Sequence, residues 1–529
     1  MKLVKSLLLG SAAGICAVAG AQAADLPMRK AAPVEYVRVC TAHGAGFFFI
    51  PGTDTCLRVG GRARFEYQYS SQNARGTNVS SYRGLGRLNI DARTATPYGT
   101  LRAFVRFEIA SRTGGYLRSG TQERFANAFA ATGVDTAGQL QKYVEVDKAF
   151  VQFAGMTAGR AQSFYDFYAG DLEFFGAGQY SNTNTNLLAY TATFGGGFSA
   201  TVSMEDPVYR RAPVFAQAAG FGPTLGGFNG NGLPAAVGTA GVSSIATGFI
   251  GGVPTGGTGV TVIQKNDMPD FVGVLRYDGA WGSAQIAGAV HEIKTVGRIS
   301  TPVVTGPDAE YGFAVQGGIK VNLPQLAPGD QFWLQGAYAQ GAGAYTGIYG
   351  PPGGDLALSS VTNKFNINQV DAVLQNNGRL NLTESFSITA ALLHYWNPEW
   401  RQAVFATYGQ QNFDPRLRNN NFGPVGITGG ATLGATGAAG PGSPTVNPFN
   451  PTLMSYDQFY GGTNLIWSPV RDLDIGVEVV YQRIWLPRAV ADQDKGGTAT
   501  LAGAGVGGTG RVTSFDDNIM ARFRVQRDF

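Results

Sequence analysis

Leu57-Arg58-Val59-Gly60-Gly61-Arg62-Ala63-Arg64-Phe65-Glu66-Tyr67-Gln68-Tyr69 decides how this chain folds. Leu57, Val59, Gly61, Ala63, Phe65, Tyr67 and Tyr69 take every second position, and Arg58, Gly60, Arg62, Arg64, Glu66 and Gln68 stand between them. Successive side chains of a β-strand point to opposite faces, so this stretch makes a strand with one oily face and one charged face. A soluble sandwich also alternates, but its polar face is seldom an arginine ladder. Lipid on one side and water on the other would account for both faces.

The two-residue period recurs in the next two segments. Leu88, Ile90 and Ala92 oppose Arg87, Asn89, Asp91 and Arg93; Leu101, Ala103, Val105, Phe107 and Ile109 oppose Arg102, Phe104, Arg106 and Glu108. A strand crossing a bilayer needs about ten such residues. Composition agrees: charged residues are 14% of the chain, against ~25% in soluble domains. Glycine supplies 76 of the 529 residues. Beyond the first residues no apolar run reaches the ~18 that a membrane helix requires. A membrane chain without such helices has to close its backbone hydrogen bonds in a barrel.

The connections give the strand count. Short ones, rich in Gly, Pro, Asn and Asp as tight turns are, fall at Thr96–Gly99, Gly155, Gly195–Gly197, Asp278–Gly282, Leu323–Gly329, Asn397–Trp400 and Ser468–Asp472. Long ones lie between them at 71–82, 112–141, 163–186, 206–268, 292–308, 341–385, 411–453 and 487–513. Seven short and eight long connections predict sixteen strands, with the short turns periplasmic and the long loops external. The predicted fold is therefore an all-β, antiparallel transmembrane barrel of sixteen strands occupying 24–529 as a single domain, with 24–55 as an N-terminal segment.

Both termini fit an exported protein. Lys2 and Lys5 precede an apolar stretch from Leu7 to Gly20 and then Ala21-Gln22-Ala23, the small-x-small pattern of a cleaved signal peptide over 1–23. The formal charge of +4 loses two when those lysines leave, which gives whole-chain attraction to nucleic acid no support. Two cysteines then remain, Cys40 and Cys56. An even pair in an exported chain reads as a disulfide, worth ~3 kcal/mol for a loop of this length; the alternative is two thiols that never meet. At the other end Ile519, Ala521, Phe523, Val525 and Phe529 share a face that Arg527 interrupts, and Met520, Arg522, Arg524, Gln526 and Asp528 share the other.

At the N-terminus Val37-Arg38-Val39-Cys40, Gly44-Ala45-Gly46-Phe47, Ile50-Pro51-Gly52-Thr53-Asp54-Thr55-Cys56-Leu57 and Gly60-Gly61 resemble the opening of the alphaproteobacterial general porins, those of rhizobia, bradyrhizobia and brucellae. That resemblance implies a homotrimer of barrels in the outer membrane, each with its own pore, among lipid and lipopolysaccharide. It also makes Phe529 the terminal aromatic that the barrel-assembly machinery reads. The Gly/Ala-rich inserts within 206–268 and 411–453 depart from the pattern.

A diffusion pore needs a constriction with a transverse field rather than a catalytic group. The resemblance implies that the third external loop, 163–186, folds inward. Its aromatics would pin it to the wall, leaving Asp166, Asp171 and Glu173 to line the eyelet. Arg58, Arg62, Arg64, Arg87, Arg93, Arg102, Arg106 and Arg160 are the basic residues expected to face them. The expected function is passive diffusion of ions and small hydrophilic solutes, the alternative a substrate-specific channel with a saturable site.

Other classes find little here. An outer-membrane hydrolase would set an acid or serine beside a histidine, and the chain has His43, His291 and His394, the last expected on the lumen face of a strand. Gly503-Ala504-Gly505-Val506-Gly507-Gly508 fits a phosphate-loop spacing without a helix to receive the phosphate. No His/Cys/acid spacing suggests a metal site, and no cofactor or nucleic acid is expected.

Overall fold

The computed structural model describes residues 38–71, 79–113, 141–212, 214–216, 249–250, 253–254, 263–296, 298–300, 303–305, 309–349, 358–359, 364–365, 367–375, 379–419, 453–491 and 512–529. The expected signal peptide, 1–23, lies outside them, as do most of the Gly/Ala-rich inserts. Of these, the residues up to Arg58 form one compact unit and those from Val59 onward another.

In the first unit Phe48–Phe49 pairs with the start of the first long strand, Phe48 opposite Leu57 and Phe49 opposite Cys56. Cys40 and Cys56 are bonded as a disulfide, with their Cα atoms 6.0 Å apart. Phe47 packs on the bridge, and all three side chains are buried. A hydrogen bond from the Cys40 amide to the Phe47 carbonyl, 2.9 Å, closes this small core.

In the order of the chain the long strands are β1 Thr55–Ser70, β2 Ser80–Thr96, β3 Gly99–Thr113, β4 Gln141–Phe153, β5 Met156–Gln162, β6 Asn184–Gly195, β7 Phe198–Glu205 and β8 Asp270–Gly279. They continue as β9 Gly282–Val296, β10 Glu310–Asn322, β11 Gln331–Gln340, β12 Glu384–Tyr395, β13 Trp400–Asn412, β14 Tyr456–Val470, β15 Leu473–Ala491 and β16 Val512–Asp528. Each pairs with its sequence neighbours, and β16 returns to β1 in antiparallel register from Arg62 opposite Asp528 to Ser70 opposite Met520. These sixteen strands therefore form a closed antiparallel barrel with no free edge.

The expected short connections all join neighbouring strands, the longest of them between Asn322 and Gln331. At the β6–β7 turn Gly197 takes φ +91°, and a Cβ there would come within 2.1 Å of the Asp278 carbonyl oxygen. Glycine is required at that point for both reasons.

Alternation sorts the two faces of the wall. Leu275, Ile286 and Val202 are 62%, 68% and 67% exposed and lie on the outer face, which meets lipid. Glu66, Ser203 and Glu478 are fully buried and lie on the inner face, under loops that fill part of the lumen. A soluble protein places these classes the other way round, so the inversion itself marks lipid as the outer solvent.

The long connections contribute structure of their own. Val214–Ala216 runs parallel to Ala372–Leu374, which pairs antiparallel with Leu380–Leu382. Phe365, Ile367, Val370 and Val373 pack against Phe413, Leu417, Met454 and Leu486 in one buried apolar cluster. Asp371 ties the parts together, accepting the Ala212 amide at 2.7 Å and the Gly343 amide at 3.0 Å.

Candidate functional site

The connection between β5 and β6, residues 163–183, crosses the inside of the barrel and is bonded to the inner face of one strand after another. Gln285 of β9 and Gln316 of β10 donate to the Tyr165 carbonyl at 3.1 and 2.9 Å. Gln335 of β11 accepts the Tyr168 amide at 3.0 Å. Thr389 of β12 donates to the Gln179 carbonyl, and Thr407 of β13 accepts the Gln179 amide. Asn464 of β14 donates to the Leu172 carbonyl at 2.7 Å. Backbone groups of an irregular loop at membrane depth need such partners, and the polar inner face supplies them.

Aromatic packing supports the same course. Phe167 and Tyr168 set their rings 5.2 and 5.6 Å from Trp333, and Tyr165 lies edge-on to Tyr345 at 4.7 Å. Gly318 on β10 leaves the room that Phe167 occupies: a Cβ there would meet the ring at 2.4 Å.

The loop tip is held most firmly. Glu478 of β15 accepts the amides of Phe174 and Phe175 at 2.6 and 2.8 Å. Arg522 and Arg524 of β16 donate to the Phe174 carbonyl at 2.6 and 2.8 Å. The two guanidiniums also lie over the rings of Phe175 and Phe174, at 4.0 and 4.1 Å from their centroids. Behind them Glu66 forms ion pairs with Arg64, Arg83, Arg522 and Arg524. Arg522 and Arg524 were legible as the polar face of the last strand, but nothing local marked them, or Glu478, as partners of a loop some 300 residues away.

The three loop acids occupy different surroundings. Asp166 is buried in an ion pair with Arg210 at 3.0 Å and accepts the Thr183 amide at 2.6 Å and the Ser181 hydroxyl. Glu173 is buried too, each oxygen taking a tyrosine hydroxyl, Tyr168 at 3.0 Å and Tyr180 at 2.8 Å. Burial first, and the neighbouring Glu478 second, push the Glu173 carboxyl up to about 8, although the tyrosine hydroxyls pull the other way. Asp171 alone of the three is exposed.

Seven of the eight predicted basic residues stand on the polar side of the alternation. Arg62 pairs with Asp528 at 2.6 Å, Arg87 with Glu108, and Arg93 and Arg102 share Asp91 at 2.8 and 2.9 Å. Arg64 donates to Gln526 and Arg106 to Asn89, both at 2.9 Å. Arg58, in the N-terminal unit, is exposed and keeps the same alternation.

Arg160 does not share that face. Register sets it beside Ala149 and Asn186, on the side of the exposed Leu188 and Tyr190. Its guanidinium donates to the Val146 and Asn184 carbonyls and lies 5.0 Å over the Tyr209 ring, on the outer face. The inward positions of β5 go instead to Thr157, Gly159 and Ala161, because Ala161, Leu187 and Ala189 make an apolar seat for Phe164 of the loop. His394 is likewise displaced from the lumen: Leu393 points inward, and His394 bonds Asp330 at 2.7 Å on the other side.

Between the loop and the strands lies a cavity of about 510 Å³, lined by Gly170–Gly176 on one side and by Arg62, Arg64, Arg87, Arg401 and Arg524 on the other. Among the described residues no group of His, Cys, Asp and Glu is arranged to hold a metal.

The porin subfamily model matches residues 25–501 of this chain. Porin Omp2b of Brucella suis biovar 1 (strain 1330) is 32% identical over 369 residues, 67% of this chain and 79% of that protein; Porin Omp2b of Brucella abortus (strain 2308) matches with the same figures. The outer membrane channel DcaP of Acinetobacter baumannii aligns over 91% of this chain and 99% of its own, with 13% identity and a TM-score of 0.49. A closed barrel with its third loop folded inside, in a chain that matches the family over nearly its whole length, has one reading: the chain belongs to the porin subfamily and is an outer-membrane porin, not an enzyme.

Proposed function

We propose that small hydrophilic solutes and ions diffuse past the loop 163–183 through the arginine-lined space beside it, and that this space is the constriction. The observation that carries the reading is the loop's attachment to the inner face of eight successive strands, β9 to β16, by hydrogen bonds from Gln285 through Arg522. A loop tied down along one half of the wall leaves the other half open, and within it β1 to β4 supply the polar side of the path. Arg62, Arg64, Arg87, Arg93, Arg102 and Arg106 then order the water in that path, and an apolar solute has to break this order to cross.

In this reading Asp171 supplies the negative side of the eyelet, while Asp166 and Glu173 act by holding the loop in shape. The working form is a homotrimer, exported by a signal peptide cleaved after Ala23. It is inserted among lipid and lipopolysaccharide by the barrel-assembly machinery acting on the strand that ends in Phe529. The resemblance at the N-terminus and the amphipathic last strand support these parts of the proposal.

The test is single-channel recording of the refolded chain 24–529 in a planar bilayer. Ohmic current in steps of three, unsaturated by added sugars or amino acids, is the expected result. Current that saturates with one neutral solute would favour a substrate-specific channel. A heat-resistant barrel without conductance would overturn the pore reading.

A further inference from the structure

The two sides of the constriction are unequal in charge, and the inequality has a chemical consequence. Of the acids that line the cavity, Glu173 is buried and its oxygens take two tyrosine hydroxyls. Asp474 is committed to Arg401, at 2.6 Å, and to the Ser468 hydroxyl, also at 2.6 Å. Only Asp171 among the loop acids of the lining is exposed. The basic side is in surplus: Arg64 and Arg524 of the lining share one carboxylate, Glu66, with Arg522 close behind them. Glu478, the other carboxylate beside this group, is turned to the loop amides.

Resting on the pore reading above, we infer that this wall is a transient binding site for small oxyanions, of the phosphate or dicarboxylate kind, and that the channel prefers anions. Positive charge on a narrow water path between low-dielectric walls raises the local concentration of anions. Guanidinium adds selectivity within that class, because its planar fork matches two oxygens of a phosphate or carboxylate, which chloride does not offer. Arg62, Arg87 and Arg401 are spaced around one cavity, so an oxyanion leaving one meets another. Each of them also has a protein carboxylate, Asp528, Glu108 and Asp474 respectively. An incoming anion must compete with that partner, which keeps its residence short. A conducting site needs this balance: binding strong enough to draw the solute in and weak enough to release it.

The experiment uses the refolded chain 24–529 in a planar bilayer, first in a KCl gradient of about tenfold. Inorganic phosphate, and in a separate arm succinate, is then added at constant ionic strength. The expected zero-current potential has the sign of anion preference, and both oxyanions reduce chloride current saturably. Arg62→Gln and Arg87→Gln each lower the anion-to-cation permeability ratio by about twofold and weaken the oxyanion effect, while Asp171→Asn raises the ratio. Suppression by one oxyanion alone narrows the ligand to phosphate or to dicarboxylate.

A folded, conducting channel that prefers cations, or whose current neither oxyanion changes, overturns this inference and leaves the pore intact. Heat-resistant barrels that carry no current at all would instead fail the pore reading. Because Asp171 is exposed, its variant tests the charge argument even if an arginine variant does not fold.

Discussion

Glu478 and Phe174 are joined main chain to side chain: the Phe174 amide donates to the Glu478 carboxylate at 2.6 Å, deep inside the barrel. The Phe175 amide takes the second oxygen at 2.8 Å, so one side chain of β15 holds two successive peptides of the loop 163–183. Hydrogen bonds to a charged group are worth about 1.5–3 kcal/mol each, and leaving the donors buried without a partner adds a desolvation cost. The loop tip is thus held by a residue that belongs to the wall.

Glu478→Ala should free the tip without opening the barrel. Its single-channel current is expected to become noisier and larger on average, while the protein keeps its heat-resistant mobility in detergent gels. Glu478→Gln retains an acceptor for one amide and should fall between the two. An unchanged current in the alanine variant would show that the arginine contacts on the Phe174 carbonyl suffice.

Glu173 makes the loop sensitive to pH. Its carboxyl is raised from an ordinary 4.5 to about 8 by burial, so the folded state binds a proton that the released state gives up over that interval. Stability of the closed loop is therefore greatest below about pH 4.5 and declines as pH rises through about 8. Current noise is predicted to increase over this window, and Glu173→Gln, which is neutral throughout, should flatten the dependence. Noise that rises toward acid instead would refute the assignment.

Asp166 anchors the other end of the loop. Its ion pair with Arg210 has both side chains almost wholly buried, and breaking such a pair from one side costs about 3–5 kcal/mol. Asp166→Asn removes the charge and leaves Arg210 without its counter-ion. Limited proteolysis in detergent should then cut within 163–183 faster than in the parent, with the rest of the barrel resistant. Equal cleavage rates would mean that the aromatic contacts of Tyr165 and Phe167 hold this segment unaided.

The barrel was legible because lipid enforces a strict rule on each strand. Leu57 to Tyr69 alternates apart from the glycine pair Gly60-Gly61, and the β6–β7 turn carries, in Gly197, a residue whose backbone freedom it demands. The site was less legible because it depends on which strands lie opposite the loop. Asp166 and Glu173 look from the sequence like eyelet acids, yet Arg210, Tyr168 and Tyr180 enclose them. Arg160 looks like one more rung of the arginine ladder. In so short a strand, only pairing with Ala149 and Asn186 reveals that its inward positions are the small residues beneath Phe164.

Gly318 and Phe167 test whether the shape of the inner wall, as well as its hydrogen bonds, sets the path of the loop. A Cβ on Gly318 would stand 2.4 Å from the Phe167 ring, closer than non-bonded carbons approach one another. Gly318→Val should therefore push the loop off β10 and raise the conductance, while strand pairing, which suits a β-branched residue, is retained. Phe167→Ala removes the obstructing ring. In Gly318→Val/Phe167→Ala the valine fills space that the ring has left, so the change in conductance should be smaller than the sum of the two single changes. If the two effects simply add, the ring and the glycine act independently, and the hydrogen bonds made with Gln285, Gln316 and Gln335 alone direct the loop across the wall.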